Sequence, residues 1–200
     1  MATEYLDRIA VQKLAGGEPE RNLVLAAQRG NAAARRDLYE IYRDRVWSLA
    51  VYSLGDTLHA QDVLQTVFLK VFQGLGSFRS QSSLATWIYR IAYNECQDYH
   101  RRRSVPHVPL ETILGTSSEI DTRPISEDQQ ARRERESIIQ QAVMQLSLKL
   151  RTVVVLRYVE GLTYEEISRV LGVAPGTVAS RLYRALEELE ERLRPFKGFF

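Results

Sequence analysis

The chain holds a single cysteine, Cys96, among 200 residues, which excludes an internal disulfide framework and any multi-cysteine zinc site. Its three histidines, His59, His100 and His107, stand in separate contexts with no HxxxH or CxxC companion, so metal binding is not expected. No stretch approaches the roughly 20 apolar residues of a membrane span. The first residues lack the basic-then-apolar pattern of a signal peptide, so no membrane insertion is expected and the expected location is the cytoplasm. An excess of charge is missing too: 27 Lys and Arg oppose 25 Asp and Glu, a net +2, so binding to nucleic acid must come from local patches. No nucleophile–base pair, Gly-rich phosphate loop or metal cluster is readable, and the expectation is a non-enzyme without cofactor or catalytic residues. What remains is an ordinary globular composition, 44% hydrophobic and 26% charged, long enough for one or two domains.

The stretch 162–193 organises the rest. Leu162, Ile167, Val170 and Leu171 recur at helical spacing behind Thr163, a cap residue, with Glu165 and Glu166 in the first turn. Gly172 supplies a left-handed stop and Pro175 sits where a first-turn proline is tolerated. In the helix that follows, Val178, Leu182, Ala185 and Leu189 form one stripe, and Thr177, Ser180, Arg181 and Arg184 the opposite one. A helix, a tight turn and a second helix with an arginine-bearing face is the helix-turn-helix arrangement, whose second helix enters the major groove. An ordinary helical hairpin with a solvated basic face is the alternative.

Upstream, residues 1–21 read as a peripheral tail, with a short helix over 5–14 and a loop over 15–19. The spacing predicts helices over 23–29, 32–54 and 60–75. On the last, Val63, Leu64, Val67, Phe68, Val71, Phe72 and Leu75 make a broad core-facing stripe, while Leu69 falls among Asp62, Gln65, Thr66 and Gln73 on the other side. That face is either a docking surface or a singly exposed leucine. Ser83 is an N-cap for a helix over 84–102, on which Thr86, Arg90, Asn94, Gln97 and Arg101 form a polar stripe edged by Trp87 and Tyr93. Amides and arginines edged by aromatics suit single-stranded DNA; a solvated face with aromatic core neighbours is the plainer alternative. Cys96 reads as a small core residue, and Glu95 falls on the apolar side with no partner visible in the sequence.

Residues 104–129, with Pro106, Pro109 and Pro124 and an acidic bias, read as a flexible acidic linker. Helical spacing resumes near Gln130, and a further helix is expected over 149–160 before the helix-turn-helix. The fold class expected is all-α: two small helical domains, 22–103 and 130–194, the second a four-helix domain with the helix-turn-helix.

Four segments in this order resemble a bacterial extracytoplasmic-function sigma factor, the two-domain class of promoter-recognition subunits of RNA polymerase. They are AQDVLQTVFLKVFQGL at 60–75, FRSQSSLATWIYRIAYNECQDYHRRR at 78–103, LRYVEGLTYEEISRVLGV at 156–173 and PGTVASRLYRAL at 175–186. The resemblance implies an alternative sigma factor that binds core RNA polymerase and directs promoter recognition, DNA melting and transcription initiation. It places Asp62, Gln65, Thr66, Leu69, Phe72 and Gln73 on the clamp helices of the β′ subunit, with further contacts to the β subunit. It assigns the −10 element to Phe78, Arg79, Ser80, Ser83, Thr86, Trp87, Arg90, Asn94, Gln97, Arg101, Arg102 and Arg103, the loop at 79–83 capturing a flipped base. It assigns the −35 element to Thr163, Tyr164, Pro175, Gly176, Thr177, Ser180, Arg181, Tyr183 and Arg184. Promoter DNA and an anti-sigma factor are the further partners it implies. Two departures stand out: Ala179 where relatives often carry a basic residue, and Ser147-Leu148 where Leu-Pro is usual. A stand-alone helix-turn-helix regulator is the alternative function, and it leaves 60–103 unexplained.

Overall fold

The computed structural model describes residues 17–102 and 127–199. Every regular element among them is helical. The helix expected over 5–14, the linker up to residue 126, and with it Arg103 and His107, lie outside the described residues.

Helices α1 (Glu18–Gln28), α2 (Ala32–Leu54), α3 (Thr57–Gly74) and α4 (Leu84–Arg102) form a first bundle in which α2, α3 and α4 pack on one another. The starts of α2, α3 and α4 are set by short polar side chains that satisfy otherwise unpaired amides. Asn31 accepts from the Ala34 N–H at 3.0 Å, Asp56 from the Leu58 N–H at 2.8 Å, and Ser83 from the Thr86 N–H at 3.2 Å. Gly55, at φ 70°, ends α2 in the left-handed conformation that glycine tolerates best. The core between them holds Leu38, Tyr42, Val46 and Leu49 of α2, Val67 and Val71 of α3, and Ile88 and Ala92 of α4. Each large side chain buried there contributes about 1.5–3 kcal/mol.

The first helix begins earlier than expected. Glu18 and Pro19, expected in a loop, open α1, because a proline in the first helical turn surrenders only an amide that had no partner. The Tyr42 hydroxyl then ties α1 down, donating to Glu20 at 2.5 Å.

The second bundle comprises α5 (Glu127–Met144), α6 (Leu148–Val154), α7 (Tyr164–Leu171) and α8 (Pro175–Leu193), with α5, α6 and α7 each packed against α8 or its neighbours. Leu146, Val153, Leu156, Ile167, Val170, Val178, Leu182 and Ala185 are among its buried residues. α5 begins at Glu127, inside the stretch expected as linker. The helix expected over 149–160 is not uniform: α6 loosens into a π turn over Val155–Val159, and the Glu160 N–H reaches back to the Val155 carbonyl at 3.0 Å. Gly161, at φ 70°, then stops it.

The two bundles are packed together, α4 against α7 and α2 against α6. Arg45 of α2 meets Glu160 across this boundary, Nε to Oε2 at 3.0 Å and Nη2 to the Glu160 carbonyl at 3.2 Å. The Tyr89 hydroxyl of α4 donates to the same carboxylate oxygen. Glu160 is only 5% exposed.

Candidate nucleic-acid interface

The helix-turn-helix forms as its residues dictate. Thr163 and Glu166 cap α7 reciprocally: the Glu166 N–H donates to Thr163 Oγ1 at 3.2 Å and the Thr163 N–H to Glu166 Oε2 at 2.9 Å. Gly172 adopts φ 65° to close α7, and Pro175 opens α8. Val178, Leu182 and Ala185 are buried beneath α8. Ser180, Tyr183 and Arg184 are exposed, and Thr177 and Arg181 half-buried. Gly176 faces open space, so the helix start can approach a ligand closely. Tyr164 lies beneath the Arg157 guanidinium, 5.4 Å from its ring centroid. The Thr163 hydroxyl is engaged by Glu166 on both its donor and acceptor sides.

The second candidate surface spans the turn after α3 and the exposed side of α4. Arg79 and Ser80 project from the turn, Ser80 at φ 54°, an uncommon conformation for a residue with a side chain. Phe78 and Trp87 lean on one another with ring centroids 5.1 Å apart. Arg90, Asn94, Arg101 and Arg102 are exposed and Gln97 and Tyr93 half-buried. Arg101 is partly neutralised by Asp98, whose carboxyl its hydrogen bond holds below the usual range. Thr86 departs from the expected stripe. It is 2% exposed, with its hydroxyl 2.7 Å from Ser83 Oγ, because α2, α3 and α7 all pack on α4 and leave it a narrower free face than helical periodicity alone implies.

On α3, Asp62, Gln65 and Gln73 are exposed around Leu69, which is 60% exposed. Thr66 donates its hydroxyl to the Asp62 carbonyl at 2.9 Å. Phe72 is half-buried, its ring centroid 6.0 Å from that of Phe68, so it contributes an edge at most.

Several residues that position these surfaces escaped sequence reasoning. The Gln28 amide donates to the carbonyls of Leu75 at 2.9 Å and Phe78 at 3.0 Å, pinning the turn that carries Arg79 and Ser80. Its spacing from those residues, about fifty positions, left no local signal. At Gly74 a Cβ would stand 3.2 Å from the Trp87 indole, so the glycine makes room for that ring. Glu95 finds its partner in Lys70 of α3. Cys96 is buried, and burial pushes its thiol up to about 12, far from a nucleophile's range. Among the described residues no group of three or more His, Cys, Asp or Glu side chains is placed to hold a metal ion, and no helix is long and apolar enough to cross a membrane.

Comparison with known proteins follows the same division. Residues 38–105 match sigma-70 region 2, and residues 136–189 match sigma-70 region 4. The chain is 35% identical over 184 residues to the RNA polymerase sigma-H factor of Pseudomonas aeruginosa, covering 89% of this chain and 95% of that protein. It is 31% identical to the ECF RNA polymerase sigma factor SigW of Bacillus subtilis, over 84% of this chain and 92% of the relative. In fold it is similar to CnrH in complex with the cytosolic domain of CnrY, at TM-score 0.63 and 23% identity, over 88% of this chain and 97% of the other. It is equally similar to the sigma factor RpoE in complex with the anti-sigma factor NepR from Bartonella quintana, at TM-score 0.63 and 22% identity, over 80% and 96%. With both regions matched in order and curated relatives aligned over most of its length, the chain belongs to the extracytoplasmic-function family of RNA polymerase sigma factors and is an alternative sigma factor of transcription initiation.

Proposed function

We propose that the first bundle binds core RNA polymerase and the melted −10 element, while the second reads the −35 element as duplex. The observation that carries this reading is the capped α7–α8 pair, which buries Val178, Leu182 and Ala185 and turns Ser180, Tyr183 and Arg184 outward. Arginine there matches the acceptor edge of guanine and phosphate oxygens alike. On the first bundle, the Phe78–Trp87 pair offers stacking surface beside Arg79, Arg90 and Asn94, a combination suited to unpaired bases. Unstacking a base costs a few kcal/mol, which binding in such a pocket offsets. Phosphodiester chemistry belongs to the polymerase, and this chain supplies selectivity.

Leu69, exposed among Asp62, Gln65 and Gln73, is the centre of the proposed docking face for the clamp helices of the β′ subunit. The β subunit is the second contact, and the cytoplasm the place of action. An anti-sigma factor is a further partner, supported by the likeness to a sigma factor solved with one. Transcription in vitro with core polymerase on a promoter library tests the whole reading. The expected result is initiation at a shared pair of spaced motifs. A chain that neither joins core polymerase nor shifts its start sites refutes it.

A further inference from the structure

Acidic residues are almost as frequent in this chain as basic ones, 25 against 27, yet they are unevenly placed. The two longest stretches of the first bundle without one are 21–36, which carries Arg21, Arg29, Arg35 and Arg36, and 63–94, which carries Lys70, Arg79 and Arg90. The fold joins these stretches at one corner. The Gln28 amide, at the end of α1, donates to the Leu75 and Phe78 carbonyls at 2.9 and 3.0 Å. Gln28 and Phe78 each stand next in sequence to an exposed arginine, Arg29 beside α1 and Arg79 on the turn. Backbone that neither arginine helps to anchor thus holds two cations at the same corner.

On α1 the four-residue spacing sets Arg21, Leu25 and Arg29 along one stripe, and all three are exposed, Leu25 at 41%. Arg35 lies across the end of this helix, its Nε donating to the Ala27 carbonyl at 3.2 Å. The acids of α1 do little to offset these charges. The Glu20 carboxylate is engaged by the Tyr42 hydroxyl at 2.5 Å. Glu18 opens the helix and Arg29 closes it, about 16 Å apart at ~1.5 Å per residue, twice the Debye length of about 8 Å at physiological salt. An exposed cluster of one sign attracts a polyanion, and this one adjoins the turn where the Phe78–Trp87 pair offers a stacking surface for bases. Cations that follow a backbone beside a stacking platform are what a single strand requires.

We propose that Arg29, with Arg21 and Arg35 beside it, is a second phosphate-binding site for single-stranded DNA, extending the −10 surface from the turn along α1 and holding the strand where it leaves the captured bases. This rests on the −10 reading above. Contacts of this kind go to phosphate and carry no sequence information, so the site grips melted DNA next to the element whatever its bases.

The test uses the full chain in complex with core polymerase and labelled single strands, one limited to the −10 element and others lengthened by a few nucleotides at either end. Lengthening at the end that reaches α1 should tighten binding by the parent. Arg29→Gln should bind the short strand as the parent does and lose about fivefold of that gain at about 0.1 M salt, because one phosphate contact to a single strand scales with salt to the power of about −0.7 and vanishes near 1 M. Its salt slope on the long strand should be shallower by about 0.7. Arg29→Lys keeps the charge and should restore both, and changing the bases of the extension should leave the gain intact. The site is overturned if lengthening at neither end tightens binding, if Arg29→Gln keeps the whole gain, or if it weakens short and long strands equally. Failure of that variant to co-purify with core polymerase would make the corner a protein contact and overturn it too. Should Arg29→Gln not fold, Arg21→Gln on the same stripe decides. A parent complex that does not bind even the short strand refutes the −10 reading, and this site with it.

Discussion

Replacing Gln28 isolates the support of the proposed −10 surface from the surface itself, since Gln28 lies on α1, outside the residues proposed to contact DNA. Its amide donates two hydrogen bonds, to the Leu75 and Phe78 carbonyls at 2.9 and 3.0 Å. A net hydrogen bond is worth about 0.5–1.5 kcal/mol. Because the site is half-buried, water replaces part of what Gln28→Ala removes, which brings the expected loss to about 1–2 kcal/mol for the pair. In a chain of this size that lowers Tm by roughly 2–8 °C. The functional loss should be selective: weaker binding of a single-stranded −10 oligonucleotide by the polymerase complex, with −35 duplex binding unchanged. Gln28→Glu sharpens the test, because an ionised carboxylate would face two carbonyl oxygens. Those carbonyls raise the folded-state pKa of the introduced acid, so its penalty is absent below the unfolded value of about 4.3, grows as pH rises through it, and is complete above the folded pKa. Stability of this variant relative to the parent should therefore recover on acidification, whereas Gln28→Ala should show no such recovery. An unchanged Tm in both variants, or an equal loss of −10 and −35 binding, would refute the assignment of Gln28 as the anchor of the turn.

Leu69→Asp should leave thermal stability within about 0.5 kcal/mol of the parent, because the side chain is largely exposed, while abolishing co-purification with core polymerase; retained binding removes that docking face. Arg181→Ala and Arg184→Ala, measured in the polymerase complex, should each weaken −35 binding by about 1–3 kcal/mol if they read bases. A uniform loss on every promoter would assign them to phosphates instead. Among the described residues, buried Arg151 has no partner for its Nε and meets the Met144 sulfur at 3.4 Å from Nη1, and burial lowers its pKa. Arg151→Met should thus be neutral or raise Tm in a thermal melt, and a clear drop would reveal a role for the charge.

Much of the fold was legible because local signals and packing agree. α2 and α4 run as the spacing predicts, over Ala32–Leu54 and Leu84–Arg102, since Asn31, Gly55 and Ser83 punctuate them with side-chain caps and a left-handed stop. Leu69 was readable as an outlier because a wide apolar stripe elsewhere on α3 left it nowhere to be buried. The failures share a different cause. Pro19 reads as a breaker in isolation, yet at a helix start it is harmless. Thr86 lies on the polar side of α4 by rotation, but three neighbouring helices cover more of α4 than its own periodicity reveals. The π turn after α6 needs one extra residue per turn, a shift too small to disturb an apolar pattern as dense as Val153, Val154, Val155 and Leu156.

The polar links between distant segments were the least legible, yet they left a trace. Glu95 stood on the apolar side of its helix, and it is there that Lys70 of α3 meets it. Glu160 lies buried just beyond the aliphatic run Val153–Leu156, past the exposed Tyr158 and Val159, and Arg45 sits one position before Val46 in the core stripe of α2. A charge on an otherwise apolar face is expensive to bury alone, so its presence implies an opposite charge on another such face, even when the sequence does not say which. For this chain that reasoning links α2 to the end of the π turn and α3 to α4, contacts that hydrophobic periodicity cannot specify because any aliphatic face can meet any other. The apolar pattern determines that the helices collapse. The misplaced charges narrow which surfaces meet, and the pairing of Arg45 with Glu160 is what specifies the contact between the two bundles.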